Sequence, residues 1–381
     1  MSTRPLGVAV IGHSFMGKAH SHAWRSVGAF FPDVPAVRQA VLVGRDAARV
    51  AAAATAYGWE SSATDWREVL TRDDVDLVDV CLPGHLHAEV AEAALAAGKH
   101  VLCEKPLAND LAEAESMVRS ARLARSAGVR STVGFNYRRV PALALARELV
   151  ASGQIGAVRE VRLAYLQDWL TDAAAPMTWR LRRETAGSGA LGDLASHAVD
   201  QLRFLTGHEV TSVSATTRTF VAQRPGPDGP EPVTVDDAAW ATLETDGGAV
   251  SSLEVSRVAA GRRNSLTIEV YGEHGSLGFD LERLNELRVH DRDTHGGTAT
   301  VLVTDPGHPY VDAWWPPGHV LGWEHTFVHQ AADLLRAIGD GTDPTPSFED
   351  GLEVQRVLSA VEQSAADGRR VVLSPAAAAA V

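Results

Sequence analysis

Two stretches carry side chains able to do chemistry. The first is His100-Val101-Leu102-Cys103-Glu104-Lys105-Pro106, an apolar run that turns polar and ends on a proline. Bounded by Gly98 and Pro106, it predicts a buried strand of a parallel sheet that stops at its polar end. Ligands bind at that edge of open α/β sheets. Lys105 there can act as an acid/base or donate a hydrogen bond to a substrate oxygen. The tripeptide alone suits a solvated Glu–Lys pair better; its setting reverses that. The second stretch is Gly187-Ser-Gly-Ala-Leu-Gly-Asp193-Leu-Ala-Ser-His197. On a regular helix Asp193, His197, Asp200 and Phe204 share one face, beside an apolar stripe of Leu194, Ala198, Leu202 and Leu205. Asp193, one turn before His197, can fix the imidazole tautomer and raise its basicity. Such a pair suits taking a proton from an alcohol whose carbon loses hydride. The glycines would let backbone approach a ligand.

The elements that must position these groups follow from periodicity and punctuation. Leu6–Gly12 reads as a buried strand and Gly17 opens a helix to about Ser26. Between them, Gly12-His13-Ser14-Phe15-Met16-Gly17 is a dinucleotide fingerprint with Ser14 in place of the middle glycine. A pyrophosphate would sit on the helix N-terminus. Strand–helix alternation continues: a strand over 40–43, a helix capped by Asp46 and stopped by Gly58, and a short helix capped by Thr64. A strand over 77–82, a helix over 85–97, the strand 100–103, a helix over 110–127 and a strand over 130–134 follow. That order predicts a doubly wound parallel sheet. At the tip of the second strand, Gly44 stands where an acid for the ribose 2′-OH is expected. Arg45 could bind a 2′-phosphate, pointing to NADP, or stack on adenine while Asp46 takes the hydroxyl, pointing to NAD; Asp46 is equally a helix cap.

From Asn136 onward the pattern changes. A helix over 141–151, a long strand over 158–167 and the glycine-rich approach to a helix ending at Leu205 lead into β-type runs near 210–221, 238–244, 249–258, 264–271 and 275–280. Consecutive strands predict an antiparallel sheet with one face covered. Gln223–Val233, rich in Pro and Gly, reads as a surface loop. Helices over 323–338 and 347–366 and a strand near Val371 close the chain, and the alanine tail 376–380 is expected to fray. The expected fold is therefore α/β, with a dinucleotide-binding domain over 1–134 and a second domain over 135–381. The closing helix and strand are able to pack back on the first domain. Two strand ends in the second domain combine polar and aromatic groups suited to a sugar: Tyr165-Leu166-Gln167-Asp168-Trp169 and Asn136-Tyr137-Arg138-Arg139, with Trp179 and Arg180 between.

Composition sets bounds. A net charge of −13 opposes nucleic-acid and anionic-membrane partners. Two cysteines provide no disulfide framework, and His85, His87, His319, His325 and His329 match no zinc spacing, so no metal is expected. No signal peptide or membrane span is read, and a cytoplasmic protein is expected.

The fingerprint, Pro83-Gly-His-Leu-His87, Glu104-Lys105-Pro106 and the glycine-rich approach to Asp193 and His197 together resemble the glucose-fructose oxidoreductase / inositol dehydrogenase / rhizopine-catabolism (Gfo/Idh/MocA) family, over essentially the whole chain. The resemblance implies a Rossmann domain followed by an α/β domain with a large, mostly antiparallel open sheet that pairs subunits into a homodimer or homotetramer. It implies Lys105, Asp193 and His197 as the catalytic group. It also implies Gly12, Ser14, Phe15, Met16, Gly17, Arg45, Asp46, Leu82, Pro83, His87, Glu104 and Lys105 around NAD or NADP. Phe15–His20, Phe135–Arg139, Tyr165–Trp169 and Gly187–Asp193 are most like members that oxidise the C3 hydroxyl of a pyranose with NAD. That likeness implies Tyr137, Gln167 and Trp179, with Asp193 and His197, as substrate contacts. Residues 310–323, with Trp314 and Trp315, are expected to reshape the substrate entrance. The expected reaction is oxidation of a secondary ring hydroxyl of a pyranose or glycoside. Alternatives are the same chemistry on an inositol, on a sugar in antibiotic assembly, or between two sugars through a retained cofactor. A non-catalytic nucleotide-binding module is the alternative of another class.

Overall fold

The computed structural model describes residues 4–291 and 295–373 and divides into two compact units, Met1–Arg139 with Leu321–Leu352, and Val140–Val320 with Glu353–Val381. The alanine tail lies outside the described residues. The first unit alternates β1 (Leu6–Ile11), α1 (Phe15–Phe30), β2 (Val37–Val43), α2 (Ala47–Tyr57), β3 (Ser61–Ala63), α3 (Trp66–Leu70), β4 (Leu77–Val80), α4 (His87–Ala96), β5 (His100–Cys103), α5 (Leu111–Ser126) and β6 (Ser131–Val133). Its six strands run parallel in the order β3-β2-β1-β4-β5-β6. The order reverses between β1 and β4, so the edge beyond β1, β4 and β5 is the switch point where a doubly wound sheet binds its ligand.

Local corrections have physical causes. α1 runs four residues past Ser26 because neither Ser26 nor Gly28 is a strong enough breaker to end it. Asp65, not Thr64, caps α3 by accepting the Arg67 amide at 2.9 Å. β3 is three residues long, too short to show alternation.

The expected boundary at residue 134 moves to Arg139, and residues 321–352 join the first unit. There Asn136 Nδ2 donates to Thr326 Oγ1 at 2.8 Å, and the Asp333 carboxylate receives the Arg139 guanidinium at 2.8 Å. Both contacts reach α9 (His325–Asp340), which packs along α1.

The second unit begins with α6 (Pro141–Ala151), β7 (Val158–Leu166), α7 (Arg183–Ala186) and α8 (Ser196–Thr206). Next come β8 (Val210–Arg218), β9 (Gln223–Gly226), β10 (Gly229–Pro232), β11 (Ala238–Thr245), β12 (Val250–Ser256), β13 (Ser265–Gly272), β14 (Ser276–Asp280), β15 (Glu286–His290) and β16 (Ala299–Leu302). α10 (Phe348–Asp367) and β17 (Val371–Val372) close the chain. Nine strands form one sheet in the order β16-β15-β14-β13-β7-β12-β11-β8-β17, antiparallel except for β7 beside β12. Along β12, Ser251, Leu253 and Val255 are buried while Val250, Ser252 and Glu254 are exposed, the alternation of a sheet covered on one side.

Residues 223–232, expected as a loop, form the β9–β10 hairpin instead. It is held by the buried Arg224 guanidinium, which donates to the Asp172 and Leu170 carbonyls at 2.7 and 2.8 Å. Among the described residues no helix is long and apolar enough to cross a membrane.

Candidate active site

In the first unit, the turn after β1 is built for an anion. Gly12 has φ +110°, and a Cβ there would lie 2.2 Å from the Cys81 carbonyl oxygen. A Cβ on Gly17 would lie 1.9 Å from Gly12 O. Both contacts are with backbone, so only glycine fits. Ser14 is the N-cap of α1, yet its hydroxyl makes no capping bond. The amides of Phe15, Met16 and Gly17 therefore remain available to a pyrophosphate at the positive helix end. The cradle fits a dinucleotide.

At the tip of β2, a Cβ on Gly44 would meet His13 Nδ1 at 2.2 Å. The imidazole of the phosphate loop thus occupies the space where an acidic side chain was expected. Asp46 caps α2, Oδ1 accepting the Arg49 amide at 3.0 Å, and Arg45 is exposed.

Lys105 is the second residue past β5, and behind it lies a closed polar network. Glu104, 4% exposed, receives His20 Nε2 on Oε1 at 2.9 Å and the Lys105 amide on Oε2 at 3.3 Å. His20 Nδ1 donates to Asp79 Oδ2 at 2.8 Å, and Trp24 Nε1 reaches the same oxygen at 2.7 Å. Burial on its own would push the His20 ring down, but the Asp79 charge and hydrogen bond, with Cys81 beside them, hold it well above the usual imidazole range. Both ring nitrogens then carry protons. His20, Asp79 and Cys81 cluster within 4.8 Å, with both ring nitrogens of His20 already bonded to the Asp79 and Glu104 carboxylates.

His87 also turns inward, its Nδ1 facing the Pro106 carbonyl and its Nε2 the Leu82 carbonyl, each at 2.9 Å. Burial holds its pKa low against those two carbonyls. It ties the loop after β4, which continues through Pro83, to the loop after Lys105. Tyr137, buried in the first unit, accepts the Trp323 indole N–H at 3.3 Å. Trp323 in turn stacks on the exposed Phe15 ring, centroids 5.4 Å apart. An aromatic series thus leads from the phosphate turn to Tyr137.

In the second unit, Asp193 lies in a π-helical segment, Leu191–Ala195, that opens into α8. The regular 3.6-residue turn expected there is replaced by a wider one, a form that recurs at functional sites. Of the glycines before it, Gly189 is required by packing. A Cβ on Gly189 would lie 1.7 Å from the Asp236 carbonyl oxygen, and the Asp236 carboxylate receives the Gly189 and Leu191 amides at 2.7 and 2.8 Å. The Asp193 carboxylate, 31% exposed, receives Arg257 Nη2 at 3.0 Å, and Arg257 is itself 3% exposed. His197 is 6% exposed, its ring edge-on to Tyr165 with centroids 6.0 Å apart.

Asn264 Oδ1 gathers the Tyr165 hydroxyl at 2.7 Å and Gln167 Nε2 at 2.8 Å, while Gln167 Oε1 accepts the Trp169 indole N–H at 2.9 Å. Arg257 also lies 5.5 Å from the Trp169 ring centre. Trp179, in the turn Trp179–Leu181, has the Arg180 guanidinium over its ring at 4.5 Å. Asp193, His197 and Gln167 are thus drawn together by one network, and Trp179 borders it through Arg257 Nη1, which donates to the Arg180 carbonyl at 3.3 Å.

The sequence reading missed His20, Asp79, Arg257 and Asn264. Asp79 carried a signal: a carboxylate inside an apolar strand must find buried donors. Arg257 and Asn264 sit just outside strands, where nothing local marks them.

A parallel sheet with this turn at its switch point defines a dinucleotide-dependent enzyme, and the comparisons place it. Residues 6–135 match the oxidoreductase family with an NAD-binding Rossmann fold, and residues 143–278 match the GFO/IDH/MocA C-terminal domain. The chain belongs to the Gfo/Idh/MocA family and is an NAD-dependent oxidoreductase. It is 40% identical over 380 residues to levoglucosan dehydrogenase of Pseudarthrobacter phenanthrenivorans, covering 95% of this chain and 96% of that one. A structure of levoglucosan dehydrogenase with NADH and levoglucosan superimposes with a TM-score of 0.94 at 40% identity, over 97% of this chain and 100% of the other. An oxidoreductase domain protein from Kribbella flavida superimposes with a TM-score of 0.95 at 54% identity, over 98% and 100%.

Proposed function

We propose that the enzyme oxidises a secondary ring hydroxyl of a pyranose or glycoside, at C3, to a ketone, reversibly and with NAD. The observation that carries this reading is the Gln167–Asn264–Tyr165–Trp169 network beside His197 and Asp193. It offers amide and hydroxyl partners next to flat apolar faces, the combination that recognises a hydroxylated ring. The 40% identity to levoglucosan dehydrogenase supports the substrate class. When bound, NAD accepts the hydride from the reacting carbon.

The chain's own residues do the rest. His197 takes the hydroxyl proton on its ring. Asp193, held by Arg257, orients that ring and stabilises its protonated form. Lys105 donates a hydrogen bond to the reacting oxygen. Gln167, Trp179 and Tyr137 hold the remaining hydroxyls and the ring face. The exposed Arg45 side chain stacks on adenine, with Asp46 as the helix cap. The uncovered face of the nine-stranded sheet joins a second copy of the chain, and size-exclusion chromatography with light scattering reads the subunit count.

The test is a panel of levoglucosan, methyl glucosides and inositols, each with NAD and with NADP, followed at 340 nm, with the product analysed by NMR. Turnover of a pyranoside with NAD to a 3-keto product is expected. Turnover confined to inositols would replace the substrate class, and nucleotide binding with no turnover on any polyol would leave a non-catalytic module.

A further inference from the structure

We propose that His20 is a positioning residue for Lys105. Its ring clamps the Glu104 carboxylate and, through it, the backbone that carries the lysine. The proposal rests on the catalytic reading of Lys105 and extends it to a residue 85 positions earlier in the chain.

The geometry is that of a brace. His20 sits on α1, three residues after Gly17, on the helix that receives the pyrophosphate. Asp79 comes from β4 and Glu104 from the end of β5. The ring spans the two carboxylates with bonds of 2.8 and 2.9 Å, and Trp24 Nε1 adds a second donor to Asp79. Glu104 has little freedom of its own. Its amide is bonded to the Val80 carbonyl at 3.0 Å, its Oε2 holds the Lys105 amide, and a Cβ on Gly134 would lie 2.8 Å from its Oε1.

Every group in the brace is buried, His20 at 1%, Asp79 at 0% and Glu104 at 4%. An apolar trio of the same volume would stabilise a core at least as well, since a buried ion pair is weak evidence for stability. What an apolar trio cannot do is hold the Lys105 amide, just past β5, by a directed, charge-assisted bond. Two carboxylates around one imidazolium also leave a net negative charge behind the lysine. The Phe327 ring closes the remaining side, 5.2 Å from His20.

The experiment compares His20→Gln, Glu104→Gln and the double variant in the full chain, with levoglucosan and NAD as probes. Three quantities are read: kcat, NAD affinity by fluorescence, and the rate at which Lys105 is acetylated by a soluble anhydride without cofactor, followed by peptide mass spectrometry across pH 7–10. Each single variant should lower kcat by about 10- to 100-fold, the usual cost of a small misplacement. NAD affinity should stay within about twofold and the Lys105 labelling profile should shift. The double variant should be no worse than the poorer single, as for groups acting as one unit.

Folded variants with wild-type kcat and an unchanged labelling profile would overturn the proposal. So would single-variant losses that multiply in the double. If His20→Gln does not fold, the isosteric Glu104→Gln decides alone, and if levoglucosan is not turned over, the labelling profile decides. Lys105→Ala with full activity would instead remove the catalytic reading of the lysine, while the labelling comparison would still report whether the brace sets it.

Discussion

The two halves of the proposed chemistry are supported in opposite ways. Around Lys105 the supporting groups are sealed: His20, Asp79 and Glu104 are all at most 4% exposed and satisfy one another. Around His197 burial is graded: Arg257 and Tyr165 are each 3% exposed, while Asp193 at 31% and Trp169 at 43% reach an open strand edge. A sealed charge network permits one arrangement, because any departure strands a charge in low dielectric. The neutral hydrogen bonds among Gln167, Asn264 and Trp169 at that edge can exchange partners with water or a hydroxyl at little cost. The first half suits a part of the reaction that is the same for every substrate. The second suits the part that varies with the sugar.

Several substitutions would break or sharpen that contrast. The largest effect on rate is expected for Lys105→Ala and His197→Ala, each lowering kcat by about 10²–10⁴ while NAD still binds, as read by fluorescence titration. Wild-type rates in both would end the assignment. Asp79→Ala leaves a buried imidazolium half-paired and should lower unfolding free energy by about 3–5 kcal/mol, the cost of breaking a buried ion pair. Gln167→Ala, at the open edge, should leave stability nearly unchanged and raise KM about tenfold with kcat altered far less, a loss of about 1.4 kcal/mol of sugar binding. Equal stability losses in these two variants would erase the distinction between sealed and open support.

The dependence of stability on pH separates two buried histidines of the first unit, which act with opposite sign. His329 faces the Arg139 carbonyl, and burial pushes its pKa to about 3. Folded protein then holds it neutral while the unfolded chain takes a proton below about pH 6.5. Its contribution therefore falls as pH drops from about 6.5 towards 3, by up to about 1.4 kcal/mol per unit. His20 is raised instead. Its stabilisation is complete below about pH 6.5 and is lost as pH climbs through the folded value. Thermal melts from pH 4 to 10 should show the alkaline loss shrink in Asp79→Asn and the acid loss unchanged. An unchanged alkaline limb in that variant would detach it from His20.

Much of this was legible in the sequence where a local rule has one solution. The Gly12–Gly17 turn, the Asp46 cap and the strand that stops before Pro106 each follow from backbone geometry that few residues permit. What was not legible depends on contacts far along the chain. The Gly189 backbone is shaped by Asp236, and the β9–β10 hairpin is held by Arg224 reaching two carbonyls about fifty residues away. The wide turn at Asp193 has no signature in residue type. Segment 321–352 joins the first unit through partners such as Asn136 and Arg139, which are ordinary polar residues until their neighbours are known.

Gly44 has a consequence for redesign. Because the His13 ring lies beside it, an acidic residue placed at the strand tip requires that ring to move. The imidazole belongs to the Gly12–Gly17 turn, whose free amides fit a diphosphate. Position 44 and the turn are thereby sterically coupled, and a library at position 44 is best varied together with position 13.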